Sequence, residues 1–119
     1  MAALNQDNTV NSQANPSKAG SIIQLFGTGV GLVTGAPADG TPDPNSQLPT
    51  MNMPTVYINA TSVPVSYSGL APGFIGLWQI NAQVPANAPT PDVQVLVVVE
   101  YQGLLTSGPP PTTYIHTTP

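Results

Sequence analysis

Cysteine is absent from this 119-residue chain. No disulfide staples it, and cysteine usage says nothing about redox compartment. Charge is nearly absent as well. One basic residue, Lys18, stands against five Asp and Glu, and charged residues make up 5% of the sequence, where an average soluble domain has about 25%. A single cation does not displace counterions from a phosphate backbone, so nucleic acid is excluded as a partner. The same shortage leaves no polybasic patch for an anionic membrane. Long hydrophobic runs are missing too. The longest, Val95 to Val99, is strand-sized, so no membrane insertion is expected. Met1 to Ser21 is polar and lacks the apolar centre of a signal peptide, so an exported form is expected to be a mature fragment.

What is present is a chain with 40% hydrophobic residues, 15 Pro and 11 Gly, its polarity carried by Asn, Gln, Ser and Thr. This length suits one domain with a modest core, and two smaller domains would each lack interior. Disordered chains combine low hydrophobicity with high net charge; a net charge of −4 at 40% hydrophobic content fits neither condition. A folded domain with a neutral polar surface is expected, and such surfaces accompany secreted and cell-surface proteins.

Residues 1–20 are rich in Asn, Gln, Ala and Ser and read as an extended N-terminal arm. Ser21 to Phe26 (SIIQLF) is the first strand, ended by the glycines of GTGVG at 27–31. Residues 35–54 hold prolines at 37, 42, 44, 49 and 54, which favour extended, non-helical backbone. A connection that long inside a small domain predicts either a hidden edge strand or a segment wrapping over the sheet. From Thr55 the apolar period is two. Val56, Ile58 and Ala60 share a face; Val63, Val65 and Tyr67 repeat the pattern; Phe74, Gly76, Trp78, Ile80, Ala82 and Val84 form the longest alternation. Val93, Val95, Val97, Val99 and Tyr101 make another strand, with Leu96 and Val98 apolar on its reverse side. Gln102-Gly103 predicts a turn, Leu104 to Thr106 the start of a returning strand, and Thr112 to Thr118 a β-rich tail beyond the prolines at 109–111. No helix-length window keeps apolar spacings of three and four. The pattern predicts an all-β, immunoglobulin-like β-sandwich of about seven strands, with Trp78 filling the space between sheets. Its expected parts are an extended arm at 1–20, the sandwich at 21–107 and a Pro-rich tail at 108–119.

Two segments, ALNQDNTVNSQANPSKAGS from Ala3 and VSYSGLAPGFIGLWQINAQVP from Val65, resemble the repeated C-terminal domain of large secreted Acidobacteria proteins, first noted in Solibacter. The second motif of that family is matched by Tyr67, Gly69, Pro72, Gly73, Gly76, Gln79, Asn81, Val84 and Pro85, and the likeness runs from Ala3 to about Thr106. Two features depart from the family pattern: Asp7-Asn8 stands where it has Asp-Gly, and the family domain carries an upstream half that this chain does not. The resemblance implies an extracellular accessory domain of Ig-like fold. It implies no activity, because the family is functionally uncharacterised.

The reactive inventory is small. His116 is the only imidazole and follows a Pro-rich run three residues from the end, a poor place for the base of a nucleophilic triad. The acids are Asp7, Asp39, Asp43, Asp92 and Glu100, and no rigid element sets any two of them as an acid–base pair. GTGVG lacks the Lys-Ser/Thr of a phosphate loop. Asn59-Ala60-Thr61 is formally a glycosylation sequon. The stretch NQDNTVN echoes oxygen-rich calcium loops, which makes Asn5, Asp7 and Asn11 the candidate ligands of a low-affinity calcium site. Ala3 stands where such a loop wants its first acid and Pro16 lies near where it wants its last, so the competing role for Asp7 is an Asx-turn. No catalytic residue and no cofactor is expected.

Partner-binding candidates are Tyr57, Asn59, Leu96, Val98 and Tyr114. By alternation Tyr67, Trp78 and Tyr101 face the core, whereas Tyr57 and Tyr114 are left for the surface. The apolar Leu96 and Val98 would suit coverage by a donated strand. The expected function is a non-catalytic extracellular structural or adhesive module that assembles into fibres by strand donation from its termini. Its partners would be other copies of itself or neighbouring domains. The alternative is a carbohydrate-binding accessory module of a secreted enzyme, with polysaccharide as the partner.

Overall fold

Alternation becomes strand wherever one face finds apolar neighbours. In the computed structural model, which describes residues 2–27, 48–49, 53–71, 77–101, 104–105 and 114–119, no described residue is helical. At 48, 49, 101, 104 and 105 only the main chain is described. The strands are β1 (Ala2–Leu4), β2 (Ser17–Lys18), β3 (Ile22–Gly27), β4 (Leu48–Pro49), β5 (Thr55–Ile58), β6 (Thr61–Val63), β7 (Val65–Leu70), β8 (Trp78–Gln83), β9 (Val95–Tyr101), β10 (Leu104–Leu105), β11 (Tyr114–Ile115) and β12 (Thr117–Thr118).

One antiparallel sheet runs in the order β1-β3-β8-β7-β4. A second runs β10-β9-β5-β6, with β11 also paired to β9. A short parallel pair, β2 with β12, joins the two ends of the chain. The expected edge strand within the Pro-rich stretch is β4, which pairs its Leu48 with Leu70 of β7. Both sheets send residues into one apolar cluster, with Ile23, Leu25, Leu70, Trp78, Ile80 and Ala82 from the first and Val56, Ile58, Val63, Val95, Val97, Val99 and Ile115 from the second. The result is an all-β, β-sandwich-like fold with its core between the two sheets. Each fully buried Val, Leu or Ile contributes about 1.5–3 kcal/mol relative to exposure. Trp78 is buried between the sheets, as its alternation predicts, and its indole N–H donates to Ser68 Oγ at 2.9 Å.

Two details of the alternation differ from the sequence pattern. The ladder between β7 and β8 shifts register between Val65 and Tyr67. An extra residue reverses the faces beyond it. Ser68, not Tyr67, therefore lies opposite Ile80 on the core side, and Tyr67 lies opposite Asn81 on the other side. Tyr67 is still buried, with its hydroxyl donating to Leu70 O at 2.7 Å. At the other strand, β9 starts at Val95 rather than Val93. The Val93 N–H is used in a turn to Thr90 O (3.2 Å), and its side chain is exposed.

Two connections show why particular residues sit where they do. Asn59 and Ala60 both have positive φ, 54° and 61°, and form the two-residue loop between Ile58 and its partner Thr61. That is a type I′ hairpin, whose twist matches the strands but which favours Gly at the second position. At Asn5 to Thr9, Asn5 N–H donates to Thr9 O (2.7 Å) and Asn8 N–H to Asn5 O (2.9 Å), with Asn8 at φ 69°. This is the three-residue hairpin loop that ends in a left-handed residue. The Phe74–Gly76 segment, the Gln102-Gly103 turn and the prolines at 109–111 lie outside the described residues, as do Asp39 and Asp43.

Candidate functional site

The five partner-binding candidates, spread over 58 positions of sequence from Tyr57 to Tyr114, come together on the outer face of the second sheet. Tyr57 of β5 pairs with Val98 of β9. Tyr114 of β11 pairs with Leu96 on the opposite edge of the same strand. Asn59 joins the row through its N–H, which donates to Leu96 O at 3.2 Å. Paired residues of an antiparallel ladder share a face, and the inward neighbours Val95, Val97 and Val99 are buried. Tyr114 is 50% exposed and Leu96 40%, while Tyr57 and Val98 are half-buried. The face thus carries an aromatic and aliphatic strip, with Tyr114 laid beside Leu96 by main-chain pairing.

Behind this strip lies a slot that holds the end of the chain. In the segment 114–118 alternate residues are buried, with Ile115 and Thr117 both 0% exposed. Ile115 pairs with Val95 and joins the core cluster. Thr117 pairs with Ser17 in the parallel ladder, and its hydroxyl donates to Pro89 O at 3.1 Å. His116 lies between them. Its Nδ1 is 2.8 Å from Pro91 O, which fits an N–H donated to that carbonyl. Its main-chain oxygen accepts from Ser17 N–H at 3.0 Å. The side chain of Asn11 completes the pairing: Nδ2 donates to His116 O at 2.8 Å, and Oδ1 accepts from His116 N–H at 2.7 Å. A carboxamide presenting one donor and one acceptor reproduces the contacts of a β-strand edge.

Asn11 is held in that position by a polar cluster. Its Nδ2 also donates to Asn5 Oδ1 (2.9 Å), which in turn accepts from the Ser17 hydroxyl. Asn5 Nδ2 donates to Asn15 O at 2.8 Å, and its carbonyl accepts from Gln24 Nε2 at 2.9 Å. Asn5 is 6% exposed and Ser17 2%, so these bonds replace lost hydration.

The calcium candidates are placed differently from one another. Asn5 and Asn11 are in contact, with their side-chain oxygens turned to protein donors. Asp7 lies at the tip of the loop, where its Oδ1 accepts from the Thr9 hydroxyl and from Thr9 N–H (3.1 Å), the pattern of an Asx-turn. The Thr9 hydroxyl, then the Thr9 N–H, hold the Asp7 carboxyl below the ordinary carboxylate value. The Thr90 hydroxyl does the same for Asp92. Among the described residues no three His, Cys, Asp or Glu side chains group as metal ligands.

Sequence reasoning missed Asn11 as a strand-pairing residue, along with Ser17, Pro89 and Pro91. No family model matches the chain, and comparisons with curated proteins and with solved structures likewise give no match.

Proposed function

We propose that this chain is a non-catalytic extracellular structural or adhesive module of Ig-like type, whose copies assemble by donating the C-terminal strand 114–118 to one another. One observation carries the reading. Leu105 pairs with Glu100 and Tyr114 with Leu96, so the register along β9 leaves three positions, Val97 to Val99, between β10 and β11. Eight residues of sequence, 106–113, intervene, and they include Gly108 and the prolines at 109–111. A continuous hairpin needs no such excess of sequence, whereas a connection to a separately docked strand does. The docked strand inserts a fully buried Ile115 between the sheets. That is how a donated strand contributes affinity, through main-chain pairing and alternate side chains in pockets. The same contacts close within one chain or between two.

The extracellular placement is supported by the neutral polar surface and by the resemblance to secreted Acidobacteria domains. The non-catalytic reading is supported by the small reactive inventory. Light scattering of the full chain tests assembly. Oligomers that disappear when residues 108–119 are deleted are expected, and a 12.2 kDa monomer at all concentrations sinks the reading.

A second reading, a carbohydrate-binding accessory module, draws on Tyr57, Tyr114 and Asn59 sharing one face. Retention on insoluble polysaccharide, lost in Tyr57→Ala and Tyr114→Ala, would select it over assembly.

A further inference from the structure

We infer that the slot around residues 11–19 and 88–96 is a recognition site for an extended peptide strand, and that Asn11 is the positioning residue that reads the strand's main chain. The ligand is the C-terminal segment of a second copy, read as a β-branched residue, any residue, then threonine. This deepens the strand-donation reading and rests on it.

Three features define what the slot accepts. Beside Val95, the core takes an aliphatic side chain, filled by Ile115 at 0% exposure. Two residues on, a pocket beside Ser17 takes a small side chain with a hydroxyl that reaches Pro89 O, filled by Thr117. Between them the contacts are chiefly to main chain: Asn11 and the Ser17 N–H engage the N–H and O of His116. The His116 ring adds one bond, to Pro91 O. Discrimination therefore lies at positions 115 and 117, while register is set at the 116 main chain. A strand shifted by one residue would present its side chains to the wrong sides.

Asn11 suits this task because nothing else in its cluster offers both a donor and an acceptor to one peptide unit. Asn5 and Ser17 fix its amide orientation from behind. Aspartate at position 11 would keep the acceptor for His116 N–H but face His116 O with a second acceptor.

The test uses a fluorescent peptide of residues 112–119 titrated onto the full-length chain carrying Ile115→Asp, which empties the slot. Emission from buried Trp78 reports that the chain is folded. The His116→Ala peptide is expected to bind within about 5-fold of the native peptide, having lost one hydrogen bond. A peptide N-methylated at residue 116 is expected to bind at least ~10-fold more weakly, because it loses the N–H that meets Asn11. The Ile115→Asp peptide is expected not to bind. Adding Asn11→Ala to the chain should weaken the native peptide by ~10-fold or more and the N-methylated one by clearly less, since only the bond from Asn11 Nδ2 to the residue-116 carbonyl is left for it to lose. A folded chain that binds native and N-methylated peptides alike, or that ignores Asn11→Ala, overturns the inference.

If Ile115→Asp prevents folding, the readout moves to amide exchange in the intact chain. Protection of the His116 N–H should fall ~10-fold or more in Asn11→Ala beyond any change at Val97, and equal protection overturns the inference. A chain that is monomeric by light scattering yet binds the peptide with this selectivity fails the assembly reading alone. A chain that assembles without the selectivity fails this one alone.

Discussion

The carboxamide of Asn11 and the peptide unit of His116 are joined by two hydrogen bonds, of 2.8 and 2.7 Å, across 105 residues of sequence. Through that pair the N-terminal loop and the C-terminal strand form one structural unit. The loop orders the carboxamide and the carboxamide orders the strand. Ile115 and Thr117 are thereby delivered into buried positions.

Asn5 is the pivot of this unit, so a change that reverses its donors should be costly. Asn5→Asp sets a second acceptor against Asn15 O, which Nδ2 now satisfies at 2.8 Å. Leaving a buried group mispaired costs about 1–3 kcal/mol. Burial opposes the charged form, which raises the folded-state value of the introduced carboxyl above its unfolded value. The loss relative to wild type should therefore grow as pH rises above about 4. Urea unfolding at pH 4 and pH 7 checks this; a deficit that shrinks towards pH 7 would contradict it.

Neighbouring residues of the last strand should behave in opposite ways. Ile115 is fully buried and Tyr114 half exposed. Ile115→Ala should cost about 2–5 kcal/mol through lost burial and the cavity left behind. Tyr114→Ala should stay within about 1 kcal/mol, the scale of a cross-strand pair with Leu96. Equal effects in thermal or urea unfolding would show that the strand is not seated in the core.

Backbone strain offers a stabilising change. Ala60 holds φ 61° in the type I′ loop, a conformation that costs an L-residue about 1–2 kcal/mol. Ala60→Gly should raise stability by about 1 kcal/mol. Gly20→Ala should lower it by a similar ~1 kcal/mol, because Gly20 sits at φ 85° although the space beside it is open. Calorimetric midpoints moving in the reverse directions would refute the left-handed backbone at both positions.

Asp7 titrates below its ordinary value because it accepts from the Thr9 hydroxyl and N–H. A depressed carboxylate contributes stability that is present above the unfolded value, near pH 4, and is lost as pH falls through the folded one. The group is exposed, so the direct readout is its own titration. In Thr9→Val the Asp7 carboxyl resonance should titrate at higher pH than in wild type. An unchanged titration would mean that the hydroxyl bond is absent in solution.

The four longer regular strands were legible in the sequence because each buries one face. Ile23 and Leu25, Val56 and Ile58, Trp78 to Ala82, and Val95 to Val99 alternate as their burial requires. The register shift before Tyr67 was not legible. An inserted residue leaves composition and period looking normal, and only the pairing with β8 shows that Ser68 takes the core position. The outer strip was partly legible, since Tyr57, Leu96 and Val98 follow from alternation, but its closure by Tyr114 depends on a long-range pairing. Asn5 and Asn11 looked like oxygen ligands because sequence displays acceptor types without the donors they meet. Those donors, Ser17 and His116 among them, come from elsewhere in the chain.

Donation between copies is tested most directly by a covalent trap. Leu96 and Tyr114 are Cα partners on neighbouring strands, both exposed, and the chain has no native cysteine. The double variant Leu96→Cys/Tyr114→Cys, oxidised at high protein concentration and run on a non-reducing gel, should give a ladder of covalent multimers that collapses on reduction. Crosslinked monomer alone, at every concentration, would show that the strand closes only on its own chain and would contradict assembly by donation.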